Sequence, residues 1–456
     1  MGKLNVDLAL VNKYNVAGPR YTSYPPAPHF SPEVTWPMLA PHVEENNRAP
    51  RDLSLYFHIP FCRSLCWFCG CNAIVTKSQD ASATYMDYIE KEMDLLQPRL
   101  HPERPVVQLH LGGGTPTFLE PGQFAALGRS LRRRFRFASP LEAGVEIDPR
   151  GIGRDHLRAL REAGFNRASV GVQDHHPAVQ KAVHRIQPRE VTAQVIDWIR
   201  AEGFTSLNID LIYGLPLQTV ESFERTLEDV LAFEPDRFAV FSFAHVPWIK
   251  PAHRVLAKVM PTPETKLRLL KLTVETLTDR GYVYIGMDHF ARQNDELAIA
   301  QRQGALQRNF QGYSTHGGAD IYAFGVSSIS QTDRVYWQNH KELPRYYAAL
   351  DQGIAPVARG CLLTEDDRIR RRIIMQLMCN LHLDYAALSL ELGRDVADYF
   401  RAELDSLDDL EADGLVWRQE GRLDITDLGR LLVRIVAMRF DACLPRDRER
   451  RFSRAI

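Results

Sequence analysis

Four of the chain's seven cysteines fall within ten positions, in the run His58-Ile59-Pro60-Phe61-Cys62-Arg63-Ser64-Leu65-Cys66-Trp67-Phe68-Cys69-Gly70-Cys71. Thiolates at such density bind metal. A structural zinc ion usually takes four nitrogen or sulfur ligands, commonly as two separated pairs. Here the spacing is C-x3-C-x2-C-x-C in one stretch, and no second pair follows. An ordinary ferredoxin-type cluster needs a fourth cysteine that can reach the remaining iron. Cys71 lies only two residues past Cys69, so the two thiolates cannot easily take different corners of one cube. Cys62, Cys66 and Cys69 therefore read as the three ligands of a [4Fe-4S] cluster with one iron left open. Cys361, Cys379 and Cys443 are isolated and read as buried thiols.

An open iron accepts an outside chelate. The amino and carboxylate groups of S-adenosylmethionine can supply it, which sets the sulfonium beside the cluster. One electron then cleaves a sulfur–carbon bond and leaves a 5′-deoxyadenosyl radical, and the protein's part is to position and shield this chemistry. Other residues suit that ligand. Gly112-Gly113-Gly114-Thr115-Pro116 lets backbone come close to a methionine moiety, although tight strand-to-helix turns use glycine anyway. Glu146 and Asp210 can accept hydrogen bonds from amino or ribose hydroxyl groups. Tyr56 and His58 alternate with Phe57 and Ile59 and so share one face of a strand.

Something must hold these residues together. Short apolar runs recur at Leu53–Ile59, Val106–Leu111, Gly144–Ile147, Ala168–Val172, Ser206–Leu211 and Phe238–Phe243, separated by amphipathic stretches such as Tyr85–Leu96 and Val220–Phe233. Strands alternating with helices predict βαβ units and a parallel sheet. Six units suggest an α/β partial (β/α)6 barrel, with a doubly wound open sheet as the other option. His58, the glycines after Leu111, Glu146 with Asp148, Gln173 with Asp174, Asp210 and His245 all fall at or just past strand C-ends, where barrel enzymes place their chemistry. A single polar strand end could be a helix N-cap; six in register point to a shared site.

The predicted organisation has three parts. Residues 1–50, rich in Pro and aromatics, form an extended arm over the active site. Residues 51–330 form the barrel with an extension, which becomes irregular after about Gly281. Residues 331–456 form a mostly helical, winged-helix-like domain, with helices at Asp366–Cys379, Tyr399–Leu415 and Asp427–Phe440 around a hairpin from Val416 to Ile425. The basic tail at 446–454 reads as a solvated end.

Composition bounds the partners. A hydrophobic fraction of 45% and a charged fraction of 25% are those of a globular protein, and a net charge of −1 gives no global pull toward nucleic acid or an acidic membrane. No apolar run approaches a membrane span, and the N-terminus lacks the order of a secretory signal. Crowded free cysteines fit a reducing compartment, so the expectation is a cytoplasmic protein with no membrane span and no nucleic-acid partner.

These residues resemble the oxygen-independent coproporphyrinogen III oxidase family of radical S-adenosylmethionine enzymes. The resemblance runs through Gly18–Pro25 (GPRYTSYP), Tyr56–Cys71, His110–Thr117, Val145–Arg150 (VEIDPR), Gly171–Asp174 (GVQD), Asn208–Pro216 (NIDLIYGLP), Gly286–Arg292 (GMDHFAR), Asn309–Tyr313 (NFQGY) and Phe324–Ser330. It implies oxidative decarboxylation of two propionates of coproporphyrinogen III to vinyls, with two S-adenosylmethionine molecules used per turnover. It also implies an unidentified one-electron reductant and an electron acceptor, and a monomer. By motif, Tyr56, Gly113, Glu146 and Ile329 would contact the molecule on the cluster. Phe68, Gly114, Thr115, Gln173, Arg185, Asp210 and Ala244 would contact a second. His58, Cys71, Phe310 and Gln311 would matter for turnover, and Arg20 and Arg292 are candidates for pairing substrate carboxylates. Trp67 stands where the family leads one to expect Tyr, and Leu111 where it leads one to expect Trp; neither removes a ligand. The rival is a haem-trafficking relative with the same cluster and no decarboxylase activity, which should lack the arm and the last cysteine of Cys69-Gly70-Cys71.

Overall fold

The structure is a computed structural model that describes residues 4–248 and 250–444; the basic tail lies outside the described residues. Six strands run parallel in sequence order: β1 (Leu53–Ile59), β2 (Pro105–Gly113), β3 (Arg136–Ile147), β4 (Arg167–Gln173), β5 (Ser206–Tyr213) and β6 (Arg237–Ser242). Each contains or overlaps one of the apolar runs. The first five are joined through helices α1 (Gln79–Leu96), α2 (Pro121–Arg134), α3 (Arg154–Ala163) and α4 (Arg189–Ala201), and α5 (Val220–Leu231) leads from β5 to β6. Leu157, Leu160 and Ala163 are buried on α3, and Phe223, Leu227 and Val230 on α5. This 3.6-residue spacing turns one apolar stripe of each helix onto the sheet.

The irregular region after Gly281 extends the same sheet. Strands β7 (Tyr282–Gly286) and β8 (His289–Arg292) add antiparallel beyond β6. Strand β9 (Asp320–Phe324) returns to pair parallel with β1, so seven strands rather than six are parallel. This seventh strand is only five residues long, which leaves little periodicity to read. Strands β10 (Ile329–Gln331), β11 (Val335–Asn339) and β12 (Val357–Leu362) continue outward antiparallel. The expected division after residue 330 therefore falls inside the sheet. Among the described residues no pairing joins the edge strands β7 and β12.

The arm is packed. Tyr21 and Tyr24 are among the largest fully buried side chains, and Ser31 bridges to Gly360 beside the β12 edge. Beyond β12, helix α6 (Glu365–Asn380) opens the C-terminal region, and the hairpin Val416–Gln419 with Arg422–Ile425 falls where the sequence sets it. The single helix expected over Tyr399–Leu415 is instead three short ones, Val396–Tyr399, Arg401–Asp405 and Asp408–Ala412, interrupted where Phe400 leaves helical geometry (φ −106°, ψ 22°). The helix expected over Asp427–Phe440 shortens to Val433–Met438 behind a 3-10 turn at Gly429–Leu432. No helix among the described residues is long and apolar enough to cross a membrane.

Candidate active site

Strands β2 to β6 and the loop after β1 line a cavity of about 700 Å³ that holds Cys62, Cys66, Cys69 and Cys71, none in a disulfide. The cysteine loop leaves β1 at Pro60 and is held from two sides. Trp67 and Phe68 pack on a separate apolar cluster of Val179, Val183, Leu215, Phe243 and Leu256, and Trp67 also stacks on His184 at 5.4 Å. Each well-buried side chain of this size contributes roughly 1.5–3 kcal/mol. On the other side, Gly114 N donates to Ile59 O at 2.8 Å. A Cβ on Gly114 would lie 2.6 Å from Pro60 O and 3.0 Å from Cys62 Sγ, so only glycine lets the two loops touch.

The thiols have distinct surroundings. Cys66 Sγ accepts from Arg150 Nη2 at 3.3 Å and from Arg185 Nη1 at 3.6 Å. Asp148 bridges both guanidiniums, at 2.6 and 3.0 Å. Burial raises the Asp148 carboxyl, but Arg185 and Arg150 outweigh it and hold it below its ordinary range. Cys62 Sγ lies 3.3 Å from Thr115 Oγ1, and burial pushes its thiol up to about 11. A hydrogen bond from Cys71 holds the Cys69 thiol below the ordinary thiol range and keeps Cys71 well above it.

Beside them Glu146 accepts from Gly113 N at 3.1 Å and meets His110 Nε2 at 3.3 Å. The His110 ring stacks on Tyr56, whose hydroxyl lies 3.1 Å from His58 Nδ1. Burial keeps His58 neutral and the Tyr56 hydroxyl protonated. Asp210 accepts from Ser169 Oγ at 3.0 Å and Asn208 Nδ2 at 2.7 Å. Burial, and then the nearby Glu146, push its carboxyl up to about 7. Gln173 stands at φ 70°, in the left-handed region that costs a non-glycine residue energy, and its Oε1 is buried without a partner.

The structure thus gathers Cys62, Cys66, Cys69, Cys71, Phe68, Gly113, Gly114, Thr115, Glu146, Gln173, Arg185, Asp210 and Gln311 around one cavity. Tyr56 and His58 stand behind that lining. Phe310, Ile329 and Ala244 do not line it: Phe310 packs on Phe30 and Tyr336, Ile329 starts β10, and Ala244 is exposed past β6. Arg20 is partly exposed and paired with Asp288. Arg292 is not part of the site. Strand β8 runs antiparallel to β6, so it carries His289 to the cavity and Arg292 to the opposite end, where Nε donates to Pro235 O. Sequence reasoning placed Asp148 at a strand end but missed His110, Arg150 and His289. The alternation of His110 with Gly112 and the acid–base pair in VEIDPR were the available signals for the first two.

Four free thiols on one cavity, with two guanidiniums donating to one of them, suit an anionic iron–sulfur cluster. The unpartnered Gln173 Oε1 and the glycine approach at Gly113 and Gly114 suit a polar ligand laid against the strand ends. Among the described residues no three His, Cys, Asp or Glu side chains form a site for a single metal ion.

Fold and site together define a radical S-adenosylmethionine enzyme. Residues 56–230 match the family model of the radical SAM superfamily, and residues 363–432 match that of the HemN C-terminal domain. The chain is 47% identical to the oxygen-independent coproporphyrinogen III oxidase of Escherichia coli over 100% of this chain and 99% of that one. It is 46% identical to the same-named protein of Synechocystis, over 98% and 97%. A solved structure, the coproporphyrinogen III oxidase of Escherichia coli described as a radical SAM enzyme, superposes with a TM-score of 0.91 over 96% of this chain and 99% of that one, at 46% identity. The chain belongs to the oxygen-independent coproporphyrinogen III oxidase family.

Proposed function

We propose that this protein converts coproporphyrinogen III to protoporphyrinogen IX by decarboxylating two propionates to vinyls, a step of anaerobic haem formation. The observation that carries this reading is the coincidence of full-length identity to the named oxidases with a cavity that gathers the three cysteines, Cys71 and Gln311. Both features expected to be missing from a haem-trafficking relative, the arm and Cys71, are present here.

When bound, the cluster held by Cys62, Cys66 and Cys69 and its S-adenosylmethionine supply a carbon-centred radical able to take a hydrogen atom from a propionate. The chain's own residues do the rest. Arg150 and Arg185 offset negative charge at Cys66, and Asp148 keeps both guanidiniums aimed there. Gly113 and Gly114 present backbone at the strand ends, while Glu146 and Asp210 offer carboxylate oxygens for amino and hydroxyl groups. Asp210, poised at about 7, carries a proton at neutral pH in part of the population and can then donate as well as accept. Neutral His58, between the Tyr56 hydroxyl and Asn72 O at 3.1 Å, fixes the face of β1 beneath the ligand.

Its partners in this reading are a one-electron reductant and a separate electron acceptor, with the chain working as a cytoplasmic monomer. Near-neutral charge and free cysteines support that setting. Anaerobic incubation with reductant, S-adenosylmethionine and coproporphyrinogen III tests the function. Protoporphyrinogen and carbon dioxide are the expected products; an intact cluster that yields neither would favour the trafficking alternative.

A further inference from the structure

Away from the cysteine loop the cavity is lined by Arg237, His289, Gln311 and Tyr313. His289 pairs with Ala239 near the start of β6, so this part of the cavity lies below the strand C-termini. Its polar atoms are short of partners. His289 Nδ1, Arg308 Nη1, Gln311 Nε2 and Gln311 Oε1 are all buried without a hydrogen bond. Arg308 is 5% exposed, its guanidinium lies 4.8 Å over the Tyr313 ring, and its Nε donates to Arg20 O at 3.4 Å. Leaving one buried polar atom unpaired costs about 1–3 kcal/mol, and more for a charged group. Three of the four belong to His289 and Gln311, which line the cavity, and the fourth to Arg308, which stacks on the cavity-lining Tyr313; together they describe a site awaiting a ligand.

The charge balance says which ligand. The carboxylates nearby are already engaged: Asp288 pairs with Arg20, Asp295 with Arg237 at 2.8 Å, and Glu296 with Arg237 and Arg167 at 2.7 and 2.6 Å. Arg308 has no carboxylate in ion-pair reach among the described residues. The charges that act on His289 are Arg308, Arg20 and Arg237, all positive, and together with burial they keep its ring neutral. A buried guanidinium with an unsatisfied N–H, beside a neutral ring that can present an N–H and an amide that can present another, is matched by a carboxylate accepting several bonds.

We propose that Arg308, His289 and Gln311 form a subsite for one propionate carboxylate of the tetrapyrrole substrate. The proposal rests on the function given above and adds which residues hold an anionic arm of that substrate. Gln311 was expected from its motif to matter for turnover; here it has a binding role, and Arg308 and His289 join it. Bound there, one propionate anchors the macrocycle below the strand ends and leaves others free to approach the cysteine loop.

The experiment uses anaerobically loaded holoenzyme and two redox-stable probes, coproporphyrin III and its tetramethyl ester, followed by fluorescence. Arg308→Ala should weaken coproporphyrin III binding and raise KM for coproporphyrinogen III about tenfold, the loss of a charge-assisted hydrogen bond. kcat should fall less, and iron content should match the parent. Arg308→Lys should recover part of the affinity. The ester should bind the parent and the variant equally weakly. Ester binding to the parent as tight as that of the acid would overturn the proposal without any variant, and so covers the case in which Arg308→Ala fails to fold. An active parent with unchanged affinity and KM in both Arg308→Ala and His289→Ala would also overturn it. A parent that cleaves S-adenosylmethionine but never converts coproporphyrinogen III would instead sink the functional reading, and this subsite with it.

Discussion

The cavity has two charged regions built on opposite plans. At the cysteine loop each guanidinium is matched: Arg150 and Arg185 share Asp148, and both donate to Cys66. In the deeper region Arg308 has no such carboxylate, although Arg20 beside it pairs with Asp288, and burial, then Arg308 and Arg434, lower the Arg20 guanidinium to about 9. Balanced cations suit a resident cofactor that must stay put. An unbalanced cation such as Arg308 suits an anionic substrate that must come and go, because its arrival supplies the missing charge. The comparison breaks if substitutions in one region produce the losses expected of the other.

The largest effect belongs to the loop. Cys66→Ser should lose the cluster and with it all S-adenosylmethionine cleavage, whereas Cys71→Ser should keep the iron and its absorption. Iron and sulfide analysis of the two variants decides the matter; loss of the cluster from both would make Cys71 a ligand. Next comes Gly114→Ala, whose added Cβ would press on Pro60 O at 2.6 Å and on Cys62 Sγ at 3.0 Å. Overpacking against backbone costs on the order of 1–3 kcal/mol, so iron per chain should drop and the melting temperature should fall. If Arg308→Ala loses as much iron as Gly114→Ala, the two regions are not independent.

The same contrast explains what the sequence makes legible. The loop region is local: the cysteines fall within ten positions, and Gly113, Glu146, Gln173 and Asp210 each lie near the end of a strand with a clear apolar run. Alternation and strand ends were enough to bring them together. The deeper region is nonlocal. Arg20 meets Asp288, and Tyr21 meets Asp441, across hundreds of residues, and no periodicity announces such pairs. That His289 rather than Arg292 reaches the cavity was hidden for a related reason. Both lie in GMDHFAR, but only the antiparallel direction of β8 decides which end of the strand meets the cavity, and direction is a property of pairing. Strand β9 escaped notice because its partner β1 is so distant in sequence.

A third effect sharpens how the β1 side is held. Glu92 on α1 accepts from Gly325 N at 2.8 Å, Asn339 Nδ2 at 2.6 Å and Tyr346 Oη at 2.6 Å. Its neighbour Tyr85 donates to His58 O at 2.7 Å and accepts from Val326 N at 3.0 Å. Burial pushes the Glu92 carboxyl from 4.5 up to about 7. Because the folded state holds this proton more tightly than the unfolded one, stability is highest below the unfolded value and declines as pH rises from about 4.5 to 7. The linked loss is about 3 kcal/mol in total. Glu92→Gln should flatten that dependence, read as the difference in denaturation midpoint between about pH 5 and pH 8; an unchanged slope would move its cause elsewhere.

The smallest effect tests whether the arm closes the deeper region. Tyr21 is 1% exposed, and its hydroxyl donates to Asp441 Oδ2 at 2.8 Å. Asp441 is itself buried, and burial raises its carboxyl while the bond from Tyr21 draws it back down. Tyr21→Phe keeps the ring packing but leaves that carboxylate short of a donor, a cost of about 1–3 kcal/mol. Arg20 is the preceding residue, and its carbonyl takes the Arg308 Nε bond, so loosening Tyr21 should reach Arg308 through the backbone. Tyr21→Phe should therefore raise KM for the tetrapyrrole by a few-fold, within the range one such bond can supply, with iron content unchanged. A matching drop in iron would mean that the arm supports the cysteine loop as well, and the two regions would then stand or fall together.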